Sequence, residues 1–257
     1  MMARTLHHAP MEYFQLEKLS TTKGPCDDAD VGRPHRAFRT LVDTLLGKLS
    51  VGSWWYPTGG WTLVNPRTTT EISFVWTGHG CLTDMDGTAH NFGPGDVVIL
   101  PKGWCGRCDI WDDVQKVCFT HEHAIVEVEK EGEVIGEDSP CIRARVTPYE
   151  QLMVSQYVNP MVGGPGAASR LLYAAGPTTV GSVMCAAGSS SKTCYDIECF
   201  HLIEGIVFLT SDKDNGTPQR CVAGDTVVLP PGWSGHHDVV EKATMLWISV
   251  EKDESSY

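Results

Sequence analysis

Short apolar runs rich in β-branched residues, each closed by proline and glycine, punctuate the chain. Gly95 to Trp104 reads GDVVILPKGW, and Gly224 to Trp233 reads GDTVVLPPGW. Glycine, an apolar stretch, proline, any residue, glycine is the order used by a strand that ends in a tight turn. From these points the two halves align without a gap, Gly106 with Gly235 and Asp109 with Asp238. The echo persists upstream: Val51-Gly52-Ser53 is answered by Val180-Gly181-Ser182, and Glu71 before Gly78 is answered by Glu198 before Gly205. One module is therefore expected twice. Residues 124 to 145 alternate apolar and acidic side chains, which predicts a strand and a turn, and NPMVGGPG at 159 to 166 predicts a loop. In Ala37 to Lys48, AFRTLVDTLLGK, apolar residues fall three and four apart. This spacing predicts an amphipathic helix outside the first module.

The paired Glu-x6-Gly and G-x5-P-x-G motifs resemble those of the cupin superfamily, and the G-W-x-G ending of the second resembles the ethanolamine-utilisation-type cupins. The resemblance implies an all-β fold of two tandem cupin barrels, jelly-roll-like, with few peripheral helices. On that reading residues 1–49 are an N-terminal extension carrying the helix and 50–145 the first barrel. Residues 146–179 are a linker and barrel-edge segment, and 180–257 the second barrel. Each barrel is long enough to bury its own core.

Charge and composition narrow the partners. A net charge of −12 over 257 residues disfavours nucleic acid and anionic membrane surfaces, both of which demand a basic face. No apolar run is long enough to span a bilayer. The start, MMARTLHHAPMEYF, lacks the apolar core of a secretion signal, so a cytoplasmic protein is expected, acting on a small molecule and open to homodimer formation. Ten cysteines are scattered through strand-like stretches such as Val117-Cys118-Phe119, which predicts buried reduced thiols.

The resemblance also implies where a metal would sit: an H-x-H pair, a glutamate a few residues on, and a third histidine after the P-x-G turn. The first copy keeps only Glu71, with Asn65 and Arg67 near the H-x-H positions and Gly106 in the last slot. A catalytic divalent ion generally needs three protein ligands, so no cofactor is expected there. The second copy offers Glu198, Lys192 and Cys194, and Gly235 with His237 just beyond. If a divalent ion binds at all, Glu198, His237 and Cys194 are the candidates. Strand parity turns His237 inward and His236 outward, and sets His201 on the face opposite Glu198.

Two readings of function stay open. In the first, an interior acid/base site serves a non-redox enzyme of small polar or carbonyl metabolites, an isomerase, lyase, cyclase or hydrolase. Its catalytic candidates are Glu71, Arg67, Glu198 and His237. Trp54, Tyr56, Trp61, Asn65, Trp76, Trp104 and Cys108 would form an aromatic wall with a few aimed polar groups. A metal-dependent hydrolase resembling ureidoglycine aminohydrolase is its variant. In the second reading the chain is a non-catalytic metabolite-binding protein. WCGRC at 104 to 108 mimics a redox motif, but its counterpart WSGHHDVV reads as strand rather than the helix such chemistry requires. His121 and His123 are expected as a solvent-facing pair.

Overall fold

Alternation of apolar and polar side chains, with glycine at the corners, yields strands nearly throughout. The computed structural model describes residues 5–25, 29–45, 49–123, 141–145, 167–213 and 216–251. The strands in chain order are β1 (His7–Ala9), β2 (Ser20–Pro25), β3 (Ala29–Val31), β4 (His35–Leu45), β5 (Leu49–Tyr56), β6 (Gly59–Leu63), β7 (Thr69–Thr77), β8 (Gly80–Asp84), β9 (Ala89–Phe92), β10 (Asp96–Leu100) and β11 (Gly106–Ile110). Next come β12 (Val114–Glu122), β13 (Ile142–Arg145), β14 (Ala168–Ala175), β15 (Thr178–Cys185), β16 (Gly188–Thr193), β17 (Ile197–Glu204), β18 (Ile206–Ser211), β19 (Gln219–Val222), β20 (Thr226–Leu229), β21 (Ser234–Val239) and β22 (Ala243–Val250). Helix among the described residues is confined to two short 3₁₀ turns, Met11–Phe14 and Leu16–Lys18.

The chain divides into two units. One, the N-barrel, is Phe14–Arg145; the other, the C-barrel, joins Met1–Tyr13 to Val146–Tyr257. In the N-barrel a sheet ordered β13-β10-β7-β12-β5-β4-β2 accompanies a second, β3-β6-β11-β8-β9. In the C-barrel the sheets are β1-β20-β17-β22-β15-β14 and β16-β21-β18-β19. The two glutamates occupy equivalent places in this scheme. Glu71 on β7 lies opposite Leu100 and Thr120, and Glu198 on β17 lies opposite Leu229 and Ser249.

The segment read as a helix from Ala37 is strand β4. It pairs with β5 along its length, Phe38 opposite Trp54, and their rings stack with centroids 4.9 Å apart. Cross-strand aromatic contact and backbone pairing outweigh the three-and-four spacing, which is a weak prior wherever a pairing partner is at hand. Residues 46–48, the strand-and-turn expected over 124–140 and the loop at 159–166 lie outside the described residues.

Each barrel is completed by a short edge strand distant in sequence. β13 adds to β10 with Arg143 opposite Val98, and β1 adds to β20 with His8 opposite Val227. Val98 and Val227 are the same position of the repeated motif, so β1 and β13 do the same job. The motif aspartate caps its own turn in both copies. Asp96 accepts the Gly93 N–H at 2.9 Å, and Asp225 accepts the Val222 N–H at 3.0 Å. Gly78 and Gly205, both at positive φ, make the corner after the glutamate strand. A Cβ on Gly78 would stand 2.2 Å from the Asp113 carbonyl oxygen, and one on Gly205 would stand 2.5 Å from that of Lys242.

Candidate functional site

The N-barrel encloses a cavity of about 230 Å3. Val75, Leu82, Phe92, Val98 and Leu100 contribute apolar wall, and Tyr56, Trp61 and Trp104 also line it. Its polar groups are Glu71, Arg67, Arg36, Lys116 and Cys108. Trp104 is fully buried and donates its indole N–H to Asp84 at 2.7 Å, which fixes the ring against the cavity.

Glu71 is the hub. Its Oε1 accepts from Lys116 Nζ at 2.6 Å and from Ser73 Oγ at 2.9 Å, and its Oε2 accepts from Arg67 at 2.9 Å. Burial opposes ionisation of Glu71, but Lys116 and Arg67 outweigh it and hold the carboxyl well below the usual carboxylate range. For Lys116 burial favours the neutral amine, yet the Glu71 charge prevails and its pKa is raised. The ammonium also stands 5.3 Å from the centre of the Tyr56 ring. Burial raises the Tyr56 hydroxyl and pushes the thiols of Cys108 and Cys118 up to about 12. The site thus presents an ionised carboxylate, charged lysine and arginine side chains, and neutral thiol and phenol groups. Arg67 Nε is buried without a hydrogen-bond partner among the described residues.

The structure brings Glu71, Arg67, Tyr56, Trp61, Trp104 and Cys108 to one cavity. Trp54 stands behind it, stacked on Tyr56 at 6.1 Å. Asn65 is exposed, and Trp76 lies against Phe14 at 6.0 Å on the other face of β7 from Glu71 and Val75. Lys116 and Arg36 are additions that sequence reasoning missed. Lys116 shares a strand face with Val114 and Cys118 on β12, and a lysine inside that alternation was the available signal. Arg36 lies on β4, the strand misread as a helix.

The C-barrel interior is packed instead. Trp233 and Trp247 join Phe200, Leu202, Leu209, Val227 and Leu229 in one apolar cluster. Trp247 donates its indole N–H to Glu198 at 3.1 Å, and Lys192 is hydrogen-bonded to the same oxygen. Met245 takes the place of Lys116: Met245 faces Val183 across the sheet as Lys116 faces Trp54. His237 is buried as parity predicts, edge-on to Trp233 at 5.8 Å, and its Nε2 has no partner among the described residues. Burial, with Lys192 nearby, pulls its pKa down to about 3, so it is neutral. His201, also buried, is hydrogen-bonded through Nδ1 to Thr226 at 3.0 Å. His121 is not solvent-facing: it is completely buried, while His123 bonds Thr70 at 2.9 Å. WCGRC leads into β11, a strand, and its cysteines are free thiols.

These residues do not fit a metal in either barrel interior. A Cβ on Gly106 would stand 2.4 Å from the Thr83 carbonyl oxygen and 2.6 Å from the Trp104 ring, so the third-histidine slot has no room for a side chain. Gly235 is closed likewise, 2.2 Å from the Thr210 carbonyl oxygen. Glu71 is already neutralised by two cations that would repel a third. Glu198, Cys194 and His237 do not gather their donor atoms at one point.

Two sheets curled around an interior glutamate, repeated, define a two-barrel cupin. The EutQ-like cupin domain model matches residues 44–117 and again 172–244, and the chain belongs to that family. Solved structures agree on the fold. The putative glyoxylate-induced protein of Pseudomonas aeruginosa superposes with a TM-score of 0.67 at 14% identity, over 98% of this chain and 91% of that one. Salicylate 1,2-dioxygenase of Pseudoaminobacter salicylatoxidans, with gentisate, gives 0.62 at 12% identity, over 96% and 81%. The oxalate decarboxylase of Bacillus subtilis, with its Mn(II) centers, gives 0.53 at 9% identity, over 98% and 79%. No curated protein matches at the sequence level. Among the described residues no helix is long and apolar enough to cross a membrane.

Proposed function

We propose that the N-barrel cavity binds a small carboxylate-bearing metabolite and acts on it by non-redox, metal-independent chemistry, with the C-barrel as a packed structural partner. The observation that carries this reading is the excess of cations over anions at the cavity wall. Among the described lining residues, Arg67 and Lys116 stand against the single carboxylate of Glu71. An anion placed there would accept from the Arg67 guanidinium and share Lys116 with Glu71, through charge-assisted hydrogen bonds. The ring faces of Tyr56, Trp61 and Trp104 would hold the apolar part of the ligand.

The chemistry follows from the charges. Lys116 and Arg67 stabilise negative charge that develops on an oxygen beside the bound carboxylate, as an enolate would carry it. Glu71 holds both cations in place, and its lowered basicity makes it a weak proton acceptor until the substrate draws one of them away. An isomerase, lyase or cyclase fits these groups, with Glu71 as the proton acceptor once a cation is drawn to the substrate. The glyoxylate, oxalate and salicylate in the names of structurally similar proteins are in keeping with a carboxylate ligand, though those proteins share only the fold. Isothermal titration with pyruvate and oxalate, each beside its amide, tests the reading. Carboxylates should bind and amides should not, and Arg67→Gln should weaken binding about tenfold or more, as expected for a lost charged hydrogen bond. Equal binding of acids and amides, or binding indifferent to Arg67, would refute it.

A further inference from the structure

The C-barrel carries a second group of chemically capable side chains, at the margin of its apolar core, to which Cys221 belongs. His8 on β1, Cys221 on β19 and Asp225 at the head of β20 bring a ring nitrogen, a thiol sulfur and a carboxylate oxygen within 4.8 Å of one another. His8 Nε2 is 2.9 Å from Asp225 Oδ2. Cys221 is completely buried, and the side chains of Asp225 and His8 are 3% and 14% exposed. The group is thus walled on the inside and reached from solvent along the histidine.

The internal repeat supplies an independent comparison. In the N-barrel the corresponding positions are Arg143, Phe92 and Asp96. Arg143 pairs with Asp96 at 3.4 Å, and Phe92 belongs to the apolar core. That corner needs nothing more, for a permanent cation neutralises the turn aspartate beside a ring. In the C-barrel the aspartate and its backbone bond are kept, phenylalanine is replaced by cysteine, and the edge strand beside them presents His8 where β13 presents Arg143. At both places the C-barrel offers a residue that can bind a metal where the N-barrel has one that does not, around the same carboxylate.

We propose that His8, Cys221 and Asp225 form a binding site for one divalent ion of the zinc type, which ties the N-terminal strand to the C-barrel. Imidazole, thiolate and carboxylate together suit zinc, and three protein ligands leave a fourth, tetrahedral position for water. Ligand bonds of about 2.0–2.3 Å set donor atoms roughly 3–4 Å apart, so the corner closes by a side-chain adjustment. On binding, the Cys221 thiol gives its proton to solvent and its sulfur bonds the ion. Before binding, the His8 Nε2–H donates to Asp225 at 2.9 Å; on binding that proton leaves to solvent as Nδ1 takes one up, the Nε2 lone pair turns to the ion, and no electron changes hands. The thiolate and carboxylate then balance the ion's two positive charges. Asp225 is held for the task by the N–H groups of Val222 at 3.0 Å and Met11 at 3.1 Å.

Cobalt(II) is the direct probe, because a thiolate ligand gives it an intense near-ultraviolet charge-transfer band. Tag-free, chelator-treated full-length protein should develop that band at one equivalent and lose it to added zinc. Cys221→Ser should abolish the band. His8→Gln, at a partly exposed position that tolerates the change, should weaken zinc binding by more than about tenfold, since even residues that only orient metal ligands have effects of 10- to 100-fold. Zinc should raise the melting temperature of the wild type more than that of His8→Gln. Cys194→Ser, in the barrel interior, should leave the band intact. Absence of the band from the wild type, its survival in Cys221→Ser, or equal zinc affinity in His8→Gln would overturn the proposal.

Discussion

Lys116→Met places in the N-barrel the residue that the C-barrel has at the same position, and so removes one cation without introducing a foreign shape. Glu71 then keeps Arg67 and Ser73 but loses its 2.6 Å partner. Removing one partner of a buried ion pair costs about 3–5 kcal/mol when the other charge is left alone. Here a second cation remains, so about 1–3 kcal/mol is expected. For a unit of this size that is a fall in melting temperature of roughly 4–10 °C. The pH dependence identifies the cause. Glu71 has a depressed pKa in the fold, so its ion pairs contribute fully above its ordinary pKa of 4.5 and fade as pH falls through the lower folded value. The gap between wild type and variant should therefore hold from pH 8 to about pH 5 and narrow below 4.5. Calorimetric melting across that range, with Glu71→Gln and the double variant completing a cycle, measures the coupling. Equal stability of wild type and Lys116→Met, or a gap that ignores acid, would show that the pair does not hold the site together.

Trp104→Phe and Trp233→Phe remove the same indole, but only Trp104 donates to a described partner, so the first should cost about 1–3 kcal/mol more than the second by denaturant unfolding. Gly78→Ala combines a positive φ with a 2.2 Å backbone clash and should lower the melting temperature of the protein or prevent its folding, whereas Gly87→Ala, at positive φ in open space, should be milder. His237 and His201, both pulled by burial to about 3, leave the unfolded chain binding more protons below its ordinary histidine pKa of 6.5. Stability should accordingly decline as pH falls from 6.5 toward 3; NMR titration should find both rings neutral at pH 5, and a ring protonated there would contradict their burial.

The repeated turns made the two barrels legible, because proline and glycine at fixed places leave the backbone few choices. Parity along a strand was equally reliable where both faces are set by burial, and it placed His237 inside and His236 outside. It was less informative for His121, since the outer face of that sheet is itself covered. β4 could not be read because its apolar spacing suits a helix and its stability comes from β5, a partner that only the fold supplies. Arg36 was lost with it. Lys116 was hidden by a sound expectation, that lysine turns to solvent, which fails when a carboxylate lies across the sheet face. The edge strands β1 and β13 are too short to carry a pattern, so the corner of His8, Cys221 and Asp225 was invisible in the sequence.

The most direct test of the carboxylate site is a crystal structure of the protein with oxalate. Oxalate is expected inside the N-barrel, with a carboxylate oxygen in hydrogen-bond range of the Arg67 guanidinium and another near Lys116 Nζ, against the faces of Trp61 and Tyr56. An empty N-barrel with oxalate only at the surface, or oxalate held in the C-barrel, would contradict the account.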